Sequence, residues 1–320
     1  MAKRTGRGTR SMNGTGRYAP SPSGELHLGN LRTAIIAWLC AHCTGREFIL
    51  RIEDLDPDRS RAAAQRRQLA DLLAIGVTFD QIAPAQSTRL AHYRTALDSL
   101  IAAGATYECY CTRREINDVL NAPHRLAGGE GRYPGTCADL TSAERARRRL
   151  AAGRAPTIRF RGNSKQRSFD DAIYGPVTAA VEDVVLRRFD GAIAYNLAVT
   201  VDDAAQHVDQ VVRGADLLQI TATQIAILQA LGAPSPQYIH VPMVLTRSGD
   251  RLSKRDGAIG LRQFHEKGVT TVEAVRYLMR SLGPAVPPAA MNLAEVGRSF
   301  ELSALPRTPV LFDPAALRSN

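Results

Sequence analysis

The sequence predicts an α/β fold, a parallel sheet split by a small insertion and followed by a short helical and loop extension. Three observations lead there. Short apolar runs alternate with helical periodicity over residues 16–105, and the same rhythm returns over 186–245. Between them, over 106–185, the pattern breaks into short strands, turns and one Arg-rich helix. From 246 to 320 the chain passes through a basic loop and then, after Gly283, through a stretch carrying Pro284, Pro287, Pro288, Pro306, Pro309 and Pro314, which predicts loop with short helical pieces. At 320 residues the chain can bury a full core, as two domains or as one large domain with an insertion.

The elements follow in order. Residues 16–19 end a first strand, and Pro20, Pro22 and Gly24 then force a sharp turn with Ser21 and Ser23 on either side of Pro22. Residues 31–43 read as an amphipathic helix carrying Ile35, Ile36, Trp38 and Leu39. Cys40 and Cys43 are spaced like metal ligands, but on this apolar helix they are expected to pack in the core. Residues 48–52 form a short buried strand whose carboxyl end delivers Glu53, Asp54 and Asp56, the place where open α/β sheets bind ligands. Asp54 and Asp56 are open to two readings, ligand binding or capping of the next helix beside Pro57, and capping is the expectation. Helices follow at 62–75 and 90–103, the second closed by Gly104, and an Arg-rich helix at 142–152. Strands at 184–188 and 192–195 are joined across Asp190-Gly191, a hairpin signal. A strand at 208–212, a helix at 218–231 and a strand at 238–241 complete the second half of the sheet.

Composition limits the function classes. The net charge of +10 points to a polyanionic partner. Part of that excess lies in residues 1–15, where Lys3, Arg4, Arg7 and Arg10 sit among Gly, Ser and Thr and predict a disordered basic leader. No run approaches the roughly 18 apolar residues of a membrane span, and the leader lacks a secretory apolar segment, so a cytoplasmic protein without a membrane partner is expected. Five Cys in odd number do not form a disulfide framework.

Two stretches carry the chemistry. In Arg17-Tyr-Ala-Pro-Ser-Pro-Ser-Gly-Glu-Leu-His-Leu-Gly-Asn30 a bare, turning backbone runs into a helix start at Gly29, which places His27 and a helix N-terminus beside any anion in the loop. In Arg251-Leu-Ser-Lys-Arg255, Lys254 stands between two arginines in a loop flanked by Gly249 and Gly257, a cationic tip suited to a triphosphate leaving group. With Arg51-Ile-Glu-Asp-Leu-Asp56, Tyr195-Asn-Leu-Ala198 and Val212-Arg-Gly-Ala-Asp216, these stretches resemble in order and spacing the motifs of class I aminoacyl-tRNA synthetases of the glutamyl type, over about Arg17 to Leu282. His27-Leu-Gly-Asn30 stands at the HIGH signature, with Asn30 for its last His. Arg251-Leu-Ser-Lys-Arg255 stands at KMSKS, with Arg251 and Leu252 for its Lys and Met.

The resemblance implies a class I, Rossmann-type sheet and the formation of an aminoacyl-adenylate from L-glutamate and ATP with Mg²⁺. It implies that His27, Gly29, Asn30, Ser253 and Lys254 bind ATP, His27 and Lys254 being catalytic. It further implies that Arg17, Tyr18, Ala19, Pro20, Ser21, Glu53, Tyr195 and Arg213 line the glutamate site. The residue chemistry agrees, since arginine forks match carboxylates and Glu53 can hold an ammonium. The bland alternative for Arg213 is an ion pair with Asp216. Magnesium is expected chiefly on the phosphates and water, because no carboxylate cage is evident.

Cys109-Tyr-Cys111 and Tyr133-Pro-Gly-Thr-Cys137 form a third constellation. Strand alternation places Cys109 and Cys111 on one side, and three thiolates with one further ligand make a structural zinc site. Spacing leaves Tyr133 and His124 both open as the fourth ligand. Tyr133 is the one implied by a resemblance to a short bacterial branch, the glutamyl-queuosine tRNA(Asp) synthetases. That resemblance, together with a Pro-rich tail in place of a helical anticodon-reading region, implies transfer of glutamate to queuosine in tRNA(Asp) by a monomer. The alternatives are a minimal glutamyl-tRNA synthetase charging tRNA(Glu) and a non-catalytic tRNA-binding paralogue.

Overall fold

A computed structural model describes residues 14–120, 133–250, 259–287, 290, 292–296 and 299–313. The leader up to residue 13, His124, Ser253 and Lys254 lie outside the described residues.

The chain opens with β1 (Thr15–Tyr18), α1 (Leu28–Cys43), β2 (Glu47–Leu50), α2 (Ala62–Ala74), β3 (Gln81–Ile82) and α3 (Leu90–Ala102). It continues through β4 (Thr106–Cys109), α4 (Arg113–Leu120), α5 (Ser142–Ala152), β5 (Thr157–Phe160), β6 (Gln166–Asp171), β7 (Gly175–Ala180) and β8 (Val185–Arg187). The second half holds α6 (Tyr195–Ala205), β9 (Val208–Gly214), α7 (Thr221–Ala230), β10 (Gln237–Val241) and β11 (Val244–Leu245). It ends with α8 (Leu261–Glu266), α9 (Thr271–Arg280), α10 (Leu293–Val296) and β12 (Val310–Leu311).

The main sheet has the order β3-β2-β1-β9-β10-β6-β7. Its first five strands are parallel, and only the β6–β7 hairpin is antiparallel. Counted along the chain, those five run 3-2-1-4-5, so the connections leave β1 and β9 in opposite directions. A crevice opens at their carboxyl ends, as at any such reversal of strand order. Arg17 lies near the end of β1 and Arg213 near the end of β9. Topology thus brings together side chains nearly two hundred residues apart.

The helix expected at 31–43 begins three residues earlier and is buried on most of its circumference. Eleven of its sixteen residues are buried, so it runs through the core between the sheet and the C-terminal elements. Arg32, fully buried within it, donates to Pro242 O at 3.0 Å and to Ser281 Oγ at 3.2 Å. That side chain fastens the C-terminal extension to the sheet, and Leu278, Leu282, Val296 and Phe312 share the core cluster with α1.

Three expectations about elements are corrected. The insertion expected over 106–185 does not form one separate body: β4, β5 and β8 make a small antiparallel sheet, whereas β6 and β7 join the edge of the main sheet. Local periodicity cannot distinguish these, because partner choice is a long-range pairing. The turn at Asp190-Gly191 forms, but its second arm is a single bridge at Ile193, and Tyr195 opens α6. Cys40 is buried as expected, but Cys43 is exposed at the last turn of α1. Among the described residues no helix is long and apolar enough to cross a membrane.

Candidate active site and metal centre

A cavity of about 440 Å³ fills the crevice. Arg17, Tyr18, Ala19, Pro20, Ser21 and Glu53 line it from the first half of the chain, and Tyr195 and Arg213 from the second. His27, Gly29 and Asn30 line it at the start of α1. Every described residue expected to bind glutamate or ATP therefore faces one cavity.

Its walls follow from local structure. After β1 the backbone keeps pairing with the chain beyond β2: Arg51 N donates to Tyr18 O at 3.0 Å and Glu53 N to Pro20 O at 3.1 Å. Gln68 of α2 holds the turn from beneath, its Nε2 donating to Ser21 O at 3.0 Å and to Gly24 O at 2.6 Å. His27 is the N-cap of α1, with Nδ1 accepting from Asn30 N at 3.3 Å while Asn30 Oδ1 accepts from His27 N at 3.2 Å. Asn30, which replaces the last His of the signature, thus completes a reciprocal cap. A Cβ at Gly29 would lie 3.1 Å from the His27 ring, so glycine there lets the imidazole lie against the first turn. The amides of that turn leave a positive helix end at the cavity wall.

Beneath Arg17 and Glu53 lies a buried ionic network. Arg51, fully buried, donates to Asp203 Oδ1 at 2.7 Å, to Gln206 Oε1 at 3.0 Å and to Glu53 Oε1 at 3.3 Å. Arg17 donates to the same Asp203 oxygen at 3.4 Å and to Val212 O at 3.2 Å. One carboxylate therefore positions a cation of the cavity directly, and through Arg51 its anion as well. Burial works against the charge on Asp203, but Arg51 and Arg17 outweigh it and hold its carboxyl below the ordinary range. At Glu53 burial wins over Arg51 and Arg17, and its pKa is raised. Asp202 accepts from Arg89 at 2.7 Å, from Tyr93 at 2.8 Å and from Gln86 at 2.9 Å, fixing α6 against the preceding segment.

Arg213 does not use Asp216 as its fixed partner. Its Nε donates to His240 Nε2 at 3.0 Å, Nη1 to Gln224 Oε1 at 2.6 Å and Nη2 to Thr221 Oγ1 at 2.7 Å. His240, fully buried, donates from Nδ1 to Asp171 Oδ2 at 2.7 Å, which leaves the Nε2 lone pair for Arg213. Burial lowers the His240 pKa, and Arg213 lowers it further against the opposing pull of Asp171. The imidazole is therefore neutral. Burial opposes ionisation of Asp171, yet hydrogen bonds from His240 and from the Tyr174 and Ile173 amides prevail and hold its pKa down.

Sequence reasoning missed Arg51, Gln68, Asp203, Gln224 and His240 as supports of this site. The adjacent carboxylates Asp202-Asp203 on an otherwise apolar helix were the one local signal. Asp54 and Asp56 are corrected too: Asp54 accepts from Ser87 N and Oγ at 2.8 and 2.6 Å, and Asp56 accepts from Asp58 N at 3.1 Å. The cap of α2 is instead Arg61, which makes no side-chain capping bond.

At the end of β4 the sulfurs of Cys109, Cys111 and Cys137 lie within 4.8 Å of one another, the one such group of potential ligands among the described residues. The Tyr133 hydroxyl is 3.3 Å from Cys109 Sγ and 3.4 Å from Cys111 Sγ, and Cys111 and Cys137 sulfurs are 3.5 Å apart. Thiolates on a tetrahedral zinc lie about 3.8 Å apart, given bonds of about 2.3 Å. Three sulfurs and a phenol oxygen at these separations fit a zinc ion. Without a metal the cluster shares its protons: hydrogen bonds from Cys111 and Cys137 lower the pKa of Cys109, and the same contacts raise that of Cys111. Arg159 lies over the Tyr133 ring at 3.7 Å and fixes it.

Comparison with known proteins agrees with this geometry. The family model of tRNA synthetases class I (E and Q), catalytic domain, matches residues 15–319. The chain is 51% identical over 312 residues to a glutamyl-Q tRNA(Asp) synthetase of Nocardia farcinica, covering 97% of each. It is 42% identical to the protein of the same name from Symbiobacterium thermophilum, covering 92% of this chain and 94% of that one. A glutamate–tRNA ligase of Nitrosospira multiformis is 38% identical over 94% of this chain and 64% of its own length. Among solved structures, a glutamate tRNA ligase from Elizabethkingia meningosepticum superposes with a TM-score of 0.80 at 24% identity, over 95% of this chain and 68% of that one, a likeness of fold. With its 3-2-1-4-5 sheet and a cavity that joins a capped helix start to buried arginines, the chain belongs to the class I tRNA synthetases of the E and Q family.

Proposed function

We propose that this enzyme activates L-glutamate with ATP and transfers it to the queuosine base at the wobble position of tRNA(Asp). The observation that carries the reading is the single cavity that places Arg17, Glu53 and Arg213 beside the N-terminus of α1, in a chain so similar to the Nocardia relative. Arg17 and Arg213 pair with the carboxylates of glutamate, Glu53 with its ammonium, and Tyr195 closes the side. A glutamate carboxylate oxygen attacks the α-phosphorus of ATP in line, the bond to the β-phosphate bridge breaks, and pyrophosphate leaves. His27 and the first-turn amides of α1 stabilise the charge on the phosphate oxygens, as Lys254, with Ser253 beside it, does for the pyrophosphate. Magnesium enters with the phosphates of ATP. In the second step a hydroxyl of the queuosine cyclopentenediol attacks the adenylate carbonyl, the carbonyl carbon–oxygen bond to AMP breaks, and the hydroxyl proton is released. Zinc on Cys109, Cys111, Cys137 and Tyr133 would hold the small sheet together and takes no part in either step.

Glutamate-dependent pyrophosphate exchange tests the first step without RNA. Labelled glutamate incubated with ATP and tRNA(Asp) tests the second, with tRNA lacking queuosine and tRNA(Glu) alongside. Transfer to tRNA(Glu) and none to queuosine-containing tRNA(Asp) would establish the minimal glutamyl-tRNA synthetase reading instead, and exchange without glutamate dependence would remove both.

A further inference from the structure

We propose that Phe189, backed by Arg154, is a stacking shelf for an unpaired RNA base next to the nucleoside that accepts glutamate. The proposal rests on the reading that the acceptor is RNA, and adds where and how that RNA is held. Phe189 sits on the hairpin after β8 with 48% of its surface exposed. The hairpin is fixed: Arg188 N donates to Ala192 O at 2.8 Å, Gly191 N to Arg188 O at 3.0 Å and Ala194 N to Leu186 O at 2.9 Å. The Arg154 guanidinium lies over the ring, 4.6 Å from its centroid. Its Nη2 donates to Tyr110 O at 3.1 Å and Cys111 O at 3.2 Å, so this flat cation is anchored to the chain just beyond β4.

The shelf opens on a second cavity of about 680 Å³. Arg113, Arg154, Arg159 and Arg188 line it with Phe189, and no Asp or Glu does. Ala194 lines this cavity, and the next residue, Tyr195, lines the first one. The two cavities thus share a stretch of wall. The chemistry of an occupant follows from the wall: a flat apolar face to lie on Phe189, and negative charge to meet a lining that is cationic on balance, although Arg188 is paired with Asp190 and Arg159 donates to Asp183 O. A nucleotide splayed out of an RNA loop has both, the base for the ring and the phosphate for the arginines. An aliphatic protein segment would use the ring and add nothing for the positive charge of the lining. The position also fits the reaction, because the acceptor nucleoside must reach from its loop into the glutamate cavity, and a flanking nucleotide held on a shelf keeps the loop open.

Two variants and two readouts test this. In Phe189→Ala, kcat/KM for queuosine-containing tRNA(Asp) should fall about tenfold, 1.4 kcal/mol at 25 °C, within the range of a single stacked base. Glutamate-dependent pyrophosphate exchange should stay at the wild-type rate, since that reaction involves no RNA. Phe189→Trp should restore transfer to within about twofold, because indole stacks at least as well. The chain has one other tryptophan, the buried Trp38, so the emission of the new indole can be followed. It should be quenched by tRNA(Asp) and not by a fully paired RNA duplex of equal length. Wild-type transfer by Phe189→Ala, or emission of Phe189→Trp that ignores tRNA, would overturn the shelf. Failure of wild-type exchange would refute the glutamate reading alone, and the quenching experiment would still decide this one.

Discussion

Replacing His240 by asparagine and, separately, by glutamine divides the two contacts of one buried imidazole. The Asn amide nitrogen can stand where Nδ1 stands and keep the bond to Asp171, but it does not reach Arg213. Gln can present its carbonyl oxygen near the place of Nε2 and accept from Arg213, while losing the side-chain bond to Asp171. Asp171 would remain held in either variant, since the amides of His240, Ile173 and Tyr174 donate to it at 3.0, 3.0 and 2.9 Å. A hydrogen bond from a charged donor contributes about 1.5–3 kcal/mol, or roughly ten- to 150-fold in affinity. Arg213 keeps Gln224 and Thr221, so the low end applies: His240→Asn should raise the KM for glutamate about tenfold, with His240→Gln nearer wild type. Pyrophosphate exchange at varied glutamate measures this, with the KM for ATP and thermal melting as controls. Equal KM values in the two variants, or a larger defect in Gln, would refute the idea that the Nε2 contact aims Arg213. The imidazole is also a pH element. Its pKa is lowered on folding, so its contribution to stability is present above the ordinary histidine value of about 6.5 and is lost as pH falls towards the folded value.

Three further outcomes are expected. Lys254→Ala should lower the exchange rate about a hundredfold or more, as loss of a charge-stabilising contact does, with little change in the KM for glutamate; stopped-time exchange assays measure it. Cys111→Ser should release zinc and loosen the small sheet, whereas Cys40→Ser should retain the metal, and equal zinc by elemental analysis in wild type and Cys111→Ser would dismiss the site. Burial raises the Glu53 pKa, so the glutamate KM should climb on the acid side at a higher pH than an ordinary glutamate would give, and Glu53→Gln should abolish that limb and weaken glutamate binding throughout. The sign for stability is opposite to that of His240: the Glu53 contribution is complete below the unfolded value and lost as pH rises through the folded one. Melting of the ligand-free Glu53→Gln protein at neutral pH should therefore show no loss.

The residues that line the cavity were legible in the chain because they lie in short contiguous runs with local geometric demands. The turn from Pro20 to Gly24, the cap at His27 and Asn30, and the strand end at Glu53 are set by prolines, glycines and a helix start within a few residues. Cys109 and Cys111 were legible for the same reason, being two apart in one short run, although the strand itself ends at Cys109. What holds these groups in place was not legible. Asp203 meets Arg17 across 186 positions, His240 meets Arg213 across two adjacent strands, and the β6–β7 hairpin chooses the main sheet over the small one beside it. Buried charges must find partners wherever the fold supplies them, and those partners come from strand order. The sequence by itself determined the chemistry of the cavity, and only the tertiary structure decided which buried groups aim it, because aiming depends on neighbours that no local pattern specifies.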